Sequence, residues 1–164
     1  MAAGSVTIRQ LIYDYGHGIL GDRKLRAVIP GGSSAPVLTA DEIDVIYDID
    51  PLMKIGTMMG SAALMVVSDA HCMVNLIARI TKFYAHESCG QCTPCREGTG
   101  WMWRVMTRMV KGDARVSEID LLQEVSKEIE GHTICALGDA AAWPIQGLIR
   151  HFRPEIEKRI AEFS

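Results

Sequence analysis

The chain has 164 residues, of which 48% are hydrophobic and 23% are charged, and its formal net charge at pH 7 is −3. These values are typical of a folded globular protein with one ordinary domain or two small ones. Nucleic acid is excluded as an expected partner, because phosphate binding requires clustered lysine and arginine and the sequence has no basic block.

Two features of the sequence argue against insertion into a membrane. The longest apolar run, at residues 56–67, is too short and too interrupted by glycine to span a bilayer. The first five residues lack the basic segment and the apolar core of a secretory signal. We therefore expect no direct membrane insertion, and we expect any association with a membrane to depend on partner proteins.

The first 70 residues have the pattern of a mixed α/β domain. Ser5 or Thr7 can cap a helix at residues 8–15, whose apolar residues fall on one face. Breaker residues at 30–34 separate the apolar runs that follow. These runs predict short strands at residues 25–29 and near 37–38, and a buried strand at 62–67.

From about residue 70 onward the sequence has helical periodicity. Asp69 is expected to cap a helix that runs to about His86, and Ser117 is expected to begin another in an arrangement similar to a capping box. Further helices are predicted at about 96–110 and 140–152, and Pro154 is expected to open a terminal piece. Four helices joined by short loops predict a small bundle.

Three of the five cysteines form a C-x₂-C-x₂-C triplet. We place this triplet, Cys89, Cys92 and Cys95, in the loop between the first two bundle helices. A [4Fe–4S] cluster has four iron corners that each need a thiolate, and a triplet at this spacing lets one loop cover three of them. Gly90 permits a tight backbone turn between the first two cysteines.

The fourth corner of such a cluster requires one more cysteine, and only Cys72 and Cys135 remain. Cys72 begins a helix and would lie about 25 Å from Cys89, given a rise of about 1.5 Å per residue. Cys135 lies in the loop between the third and fourth helices, which returns to the end of the bundle that carries the triplet. We therefore predict Cys135 as the fourth ligand and interpret Cys72 as a buried thiol.

Two other uses of the cysteines stay open as minor alternatives. A structural zinc site prefers two C-x₂-C pairs, or one pair with histidines, and an odd number of cysteines fits a disulfide framework poorly. His86 and His132 flank the cysteine loops, and we favour helix-end contacts over metal ligation for both. The glycine-serine turn at residues 31–34 is a weak candidate for an anion site.

The cysteine segments resemble one known family, the flavoprotein (NADH-binding) subunit of respiratory complex I, NADH:quinone oxidoreductase. The diaphorase subunits of soluble NAD-linked hydrogenases and formate dehydrogenases are similar and form the second interpretation. The segments that carry the resemblance are residues 27–34, 89–98, 131–139 and 143–154.

The resemblance implies an α+β fold. A small ubiquitin-like β-grasp domain at residues 7–70 would be followed by a four-helix bundle at 71–164 that carries the [4Fe–4S] cluster on Cys89, Cys92, Cys95 and Cys135. The family's FMN- and NADH-binding region would precede residue 7, and we recognise no such region in these 164 residues. FMN and NADH are therefore expected only in the full-length subunit, and we expect this chain to be inactive alone and assign it no catalytic side chain.

The resemblance also implies a function and partners. The cluster would accept electrons from FMN, which NADH reduces, and pass them along the iron–sulfur chain of complex I towards quinone. The partners would be other iron–sulfur subunits of the peripheral arm. The location would be the cytoplasmic face of a bacterial inner membrane or the matrix side of the mitochondrial inner membrane. A structural zinc-binding assembly module is the alternative from another class.

Overall fold

The structure is a computed structural model and describes residues 5–163. The chain divides into two compact units, Met1–His71 and Cys72–Ser164. Each unit is described by itself below. The assignment of residues 7–70 to a β-grasp domain and of 71–164 to a cluster-binding domain stays a prediction.

The first unit begins with a short helix that Thr7 caps. The Thr7 side chain accepts a hydrogen bond from the Gln10 backbone, and the Gln10 side chain accepts one from the Thr7 backbone, so the two form a capping box. Helix α1 (Ile8–Gln10) continues as a π-helical turn, Leu11–Tyr15. Ile8 and Ile12 of this segment are buried, whereas Tyr15 is about half exposed and does not lie on the predicted apolar face.

Three short strands follow and form one antiparallel sheet in the order β2-β1-β3. In the register, Val28 of the central strand lies opposite Leu38 on one side and Val66 on the other. A core of apolar side chains from this unit packs around the sheet and the first helix. The strands are β1 (Leu25–Ile29), β2 (Leu38–Thr39) and β3 (Met65–Ser68), helix α2 spans Ile49–Lys54, and the core contains Ile8, Ile12, Val28, Leu38, Ile43 and Leu52.

The strand predicted at 62–67 is shorter and less buried than expected. It begins at Met65, and Met65 and Val66 are 36% and 42% exposed. The glycine-serine turn at 31–34 has a packing role, because a side chain at Gly31 would lie 2.5 Å from the Met58 carbonyl oxygen. The turn therefore lies against the backbone of this unit, which accounts for its glycine without an anion site.

The second unit is a bundle of four helices. Helices α3 and α6 pack on each other, and α4 contacts α3, α5 and α6. Their apolar faces meet in a core that includes Ile77, Met102, Met106, Leu122 and Leu148. The helices are α3 (Met73–Glu87), α4 (Thr93–Lys111), α5 (Ser117–Ile129) and α6 (Leu137–Phe163).

Several predicted helix ends differ from those in the structure. Asp69 does not cap α3, because its backbone N–H donates to the Lys24 carbonyl at 3.0 Å and keeps it in a turn after β3. Ser117 is not a cap either, because it is the first residue of the helix, and Val116, the residue before it, makes no side-chain cap hydrogen bond. Helix α6 runs through Pro154 with a local break in helical geometry at Phe152 (φ −126°, ψ 18°).

The end of the bundle where α3 begins is held by Arg159 of α6. Its guanidinium donates through Nε, at 2.8 Å, to the carbonyl oxygen of Val110 in the last turn of α4. The same guanidinium lies 3.7 Å from the sulfur of Cys72, immediately before α3. This arginine thus joins three helices at the end that is remote from the cysteine loops.

No helix within residues 5–163 combines the length and the apolar character that crossing a membrane requires.

Candidate metal centre formed by four cysteines

The cysteine triplet follows the end of α3 and enters the first turn of α4. Cys89 lies in the connection, Cys92 is the residue immediately before α4, and Cys95 lies on its first turn. The predicted placement of all three in a loop is therefore wrong for Cys95, since α4 begins three residues earlier than expected. Pro94, near the first helical position, is a signal that could have located this start. The helix N-terminus consequently directs its free backbone N–H groups towards the cysteines.

A short chain of hydrogen bonds connects the loop to Cys95. The loop turns at Gly90, whose φ of +77° is easily adopted only by glycine. The backbone N–H of Gly90 donates to the Ser88 hydroxyl oxygen at 3.4 Å, and that oxygen lies 3.1 Å from the Cys95 sulfur. Ser88 itself ends α3, where its backbone N–H donates to the Tyr84 carbonyl at 3.1 Å.

Arg96 fastens the same loop to α4. Its Nη1 donates to the carbonyl oxygen of Gly90 at 3.1 Å, and its Nη2 donates to the Thr93 hydroxyl oxygen at 3.3 Å. The planar guanidinium suits such simultaneous contacts. Its Nε also donates to the Glu97 carboxylate at 3.0 Å, so a neighbouring acidic side chain shares its positive charge.

Cys135 lies in the connection between α5 and α6, and Thr133 sets its position. The Thr133 hydroxyl donates to the Cys135 carbonyl oxygen at 2.8 Å. The backbone N–H of Gly131 donates to Asp139 of α6 at 2.7 Å, which fixes the start of this loop. A side chain at Gly138 would lie 2.4 Å from Thr133 Oγ1, so the loop folds closely over the first turn of α6.

Glu130 anchors the base of the same loop to α6. Its two carboxylate oxygens accept hydrogen bonds from Trp143 Nε1 at 2.6 Å and from Gln146 Nε2 at 2.8 Å. Bonds to a charged acceptor are among the stronger hydrogen bonds in proteins. The sequence did not predict that Glu130 holds the loop to α6, because a glutamate at the end of an amphipathic helix is most often solvated.

The other three predicted ligand cysteines influence the pKa of the Cys95 thiol. Burial raises the pKa of the Cys95 thiol, the Ser88 hydroxyl opposes that rise, and the nearby sulfurs of Cys92, Cys135 and Cys89 add to it. Cys135 is therefore near enough for its charge to act on Cys95. Cys89 and Cys135 are exposed, Cys92 is partly buried and Cys95 is buried.

Cys72 lies elsewhere, at the opposite end of α3 beside Arg159. The helix between Cys72 and the triplet has 15 residues, which corresponds to about 22 Å. The interpretation of Cys72 as a fully buried thiol is wrong, since it is only partly buried.

The donor set fits an iron–sulfur cluster better than a single metal ion. Four thiols without a neighbouring carboxylate ligand are the set that a [4Fe–4S] cluster takes. Among residues 5–163, no three Cys, His, Asp or Glu side chains converge closely enough to hold one ion. The cysteines that bind a cluster need not meet at a single point, because each of the four iron corners binds one cysteine sulfur. A structural zinc site more often takes two C-x₂-C pairs, or one pair with histidines, than three cysteines from one compact segment.

The two histidines near the cysteine loops make local contacts. His86 Nδ1 lies 3.0 Å from a carboxylate oxygen of its neighbour Glu87, and His132 Nδ1 lies 2.8 Å from the carbonyl oxygen of Glu130. The contact of His132 with a carbonyl is of the kind that we favoured from the sequence, whereas His86 contacts the side chain of its neighbour. Nothing in their geometry assigns either ring to the metal centre.

The sequence also contains a G-x-G-x-x-G spacing at Gly16, Gly18 and Gly21, which bears on the expectation that no FMN- and NADH-binding region is recognisable in this chain. In the structure these glycines follow the π-helical turn and precede β1, the reverse of the strand–loop–helix order of dinucleotide-binding loops. Gly18 lines an open cleft of about 310 Å³ together with apolar side chains, Arg23 and His71. We assign no nucleotide to this cleft.

Comparison with known proteins identifies the family. A family model described as the NADH-ubiquinone oxidoreductase-F iron-sulfur binding region matches residues 75–159. The chain belongs to this family. The matched region contains Cys89, Cys92, Cys95 and Cys135 and excludes Cys72. The predicted [4Fe–4S] cofactor is thereby confirmed as that of the family, whereas the assignment of its ligands stays a prediction.

Curated relatives cover nearly the whole chain. The F subunit of NADH-quinone oxidoreductase from Rickettsia akari (strain Hartford) is 58% identical over 163 residues, which are 99% of this chain and 38% of that protein. The protein of the same name from Rickettsia bellii (strain OSU 85-389) is 57% identical over 160 residues, 96% of this chain and 38% of that protein. The chain therefore spans about two fifths of the length of these relatives.

A solved structure has the same fold. The crystal structure of an NAD⁺-reducing [NiFe]-hydrogenase in the H₂-reduced state contains a chain that is 25% identical to this one, with a TM-score of 0.84. The similarity covers 98% of this chain and 26% of that chain. The α+β class and the resemblance to the complex I flavoprotein subunit are both confirmed.

Proposed function

We propose that this chain transfers electrons through one [4Fe–4S] cluster bound by Cys89, Cys92, Cys95 and Cys135. The observation that carries the proposal is that Cys135, from a separate loop, acts electrostatically on Cys95, and that all four cysteines lie within the family-matched region. When bound, such a cluster accepts and releases one electron at a time.

The residues of the chain hold the cofactor and shape its surroundings. Cys89 and Cys92 bring thiolates from the connection, Cys95 brings one from α4, and Cys135 brings one from the loop before α6. The N-terminus of α4, where Cys92 and Cys95 lie, carries a partial positive charge that opposes the negative charge of the thiolates. This fixed partial charge makes the reduced, more negative state less costly than it would be in an apolar setting.

In the full-length protein we place this centre between FMN, which NADH reduces, and the next iron–sulfur centre of a partner subunit. Support comes from the relatives, which are named as a component of NADH-quinone oxidoreductase. Electrons would then continue towards quinone through other peripheral-arm subunits. Because those relatives are bacterial, we favour a peripheral position on the cytoplasmic face of the inner membrane over the mitochondrial matrix side.

The diaphorase subunit of an NAD-linked hydrogenase is the second candidate. The structural similarity to the NAD⁺-reducing [NiFe]-hydrogenase supports it. The identity of 25% to that chain is far below the 58% shared with the Rickettsia akari protein, so we rank it second.

The proposal is tested by removing each cysteine in turn. Five Cys→Ala variants would be reconstituted anaerobically with iron and sulfide, and both elements would be counted per chain. We expect about four irons per chain in the unchanged protein and in Cys72→Ala, and a loss of cluster in the other four. Full cluster content in Cys135→Ala would remove Cys135 from the ligand set. A colourless protein that binds one zinc would instead support the structural alternative.

A further inference from the structure

We propose that the Ser88 hydroxyl donates a hydrogen bond to the thiolate of Cys95 and thereby raises the reduction potential of the cluster. The inference rests on the proposed function, because it requires Cys95 to be a ligand. In this proposal Ser88 is not a ligand of iron. Its role is to direct its hydroxyl proton at the Cys95 sulfur.

The direction of this hydrogen bond follows from the ligand chemistry. The oxygen and sulfur are 3.1 Å apart, and either could donate while Cys95 keeps its proton. A metal-bound cysteine has lost that proton, so only the Ser88 hydroxyl can then donate. The backbone N–H of Gly90 already donates to the same oxygen, which leaves the hydroxyl proton free to point at sulfur.

The position of Ser88 is fixed from two sides, so the contact does not depend on a mobile side chain. Its backbone N–H is bonded to Tyr84 at the end of α3. Its hydroxyl oxygen accepts from the Gly90 N–H, and the Gly90 carbonyl is held in turn by Arg96. Ser88 is also partly buried, and a hydrogen bond screened from water has a larger electrostatic effect.

The sign of the effect follows from the charge of the two redox states. Reduction adds one negative charge to the cluster and its thiolates, so a donor to sulfur stabilises the reduced state more than the oxidised state. Loss of this donor should make reduction harder and lower the midpoint potential. Hydrogen bonds to cluster sulfurs are among the factors that set such potentials.

The test measures midpoint potentials by redox titration monitored with electron paramagnetic resonance. Wild-type chain, Ser88→Ala, Ser88→Gly and Ser88→Thr would each be reconstituted, and iron and sulfide would be counted first. We expect Ser88→Ala and Ser88→Gly to keep the cluster at a lower potential. At a fixed applied potential their ratio of reduced to oxidised cluster should fall by about tenfold, which is about 59 mV for one electron. Ser88→Thr, which keeps the hydroxyl, should return towards the wild-type potential.

Thr107→Val is the matched control. It removes one hydroxyl from α4 that donates to the Trp103 carbonyl, about 18 Å along the helix from Cys95, and it should leave the potential unchanged. Equal potentials in wild type and both donor-free variants would overturn the tuning role. Loss of the cluster from both would also overturn it, because the hydroxyl would then be needed for assembly. Absence of a cluster from the wild-type chain would instead refute the proposed function.

Discussion

The side chain of Thr133 occupies the space that any side chain at Gly138 would need. A Cβ atom there would lie 2.4 Å from Thr133 Oγ1 and 2.5 Å from its methyl group. Because the Thr133 hydroxyl also holds the carbonyl of Cys135, this close approach connects the start of α6 to the position of a candidate ligand.

Gly138→Ala should therefore disturb the Cys135 loop. The added methyl group must displace Thr133, and we expect a destabilisation of about 1–3 kcal/mol with a lower iron content after reconstitution. Urea unfolding and iron analysis would measure both effects. Gly100→Ala is the control, because a Cβ there meets only the flexible end of Arg104, at 3.4 Å. In the interior of α4 that change should stabilise the chain by about 1 kcal/mol. Equal behaviour of the two variants would contradict the steric explanation.

Arg96→Ala should shorten the lifetime of the bound cluster. The variant loses the contacts to the Gly90 carbonyl and the Thr93 hydroxyl, together with the positive charge of the residue that follows Cys95. We expect cluster release to an iron chelator to accelerate by about tenfold, as for other residues that orient metal ligands. Absorbance would follow the release.

Arg96→Lys separates the two contributions of this residue. It keeps the charge but cannot contact both partners with a planar fork, so its release rate should fall between those of wild type and Arg96→Ala. A rate equal to that of wild type would show that charge alone explains the effect, and that the contacts with the loop contribute nothing.

Glu130→Ala should weaken the attachment of the α5–α6 connection. It leaves Trp143 Nε1 and Gln146 Nε2 without their acceptor, and we expect a loss of about 1–3 kcal/mol in the free energy of unfolding. Urea titration followed by tryptophan fluorescence would measure it. Glu128→Ala, at an exposed position of α5 two residues earlier, should change stability by no more than about 0.5 kcal/mol. Similar losses in both variants would show that the contacts of Glu130 are unimportant.

The ion pair between Asp120 of α5 and Arg153 of α6 should give a pH-dependent contribution to stability. The hydrogen bond from Arg153 lowers the pKa of the Asp120 carboxyl in the folded state. The contribution is therefore complete above the unfolded-state pKa of Asp, about 3.9, and is lost as the pH falls through the lower folded-state pKa. Urea unfolding of the cluster-free chain between pH 7 and pH 3 should show a smaller loss of stability in Asp120→Asn than in wild type. Glu124→Gln, at an exposed position of the same helix, serves as the control. Parallel pH profiles for wild type and Asp120→Asn would exclude a contribution from this pair.

Local patterns predicted the elements whose boundaries depend on neighbouring residues in the sequence. The strand Leu25–Ile29 was found at its observed ends, because an apolar run stops at Pro30 and Gly31. The start of α3 was missed because it is decided by a long-range contact, the hydrogen bond from Asp69 to Lys24 across the sheet. A capping residue in the sequence does not reveal such competition.

The order and direction of the helices were enough to predict which cysteine loops lie at the same end of the bundle. The order of helices indicated that Cys135 lies at the end of the bundle that carries the triplet, and its charge acts on Cys95, while its assignment as a ligand stays a prediction. The roles of Ser88, Glu130 and Thr133 could not be predicted, since each depends on a side-chain direction and a loop conformation. A serine after a helix is common, and only its 3.1 Å approach to Cys95 distinguishes this one.

The contact between Arg159 and Val110 has a consequence for how the cofactor is inserted. It closes the end of the bundle opposite the cysteines, about 28 Å away along the 19 residues of α4. Helices α4 and α6 are therefore joined at this end by a contact that uses none of the predicted ligands. Delivery of a cluster to the cysteine end of the folded chain would leave this contact in place.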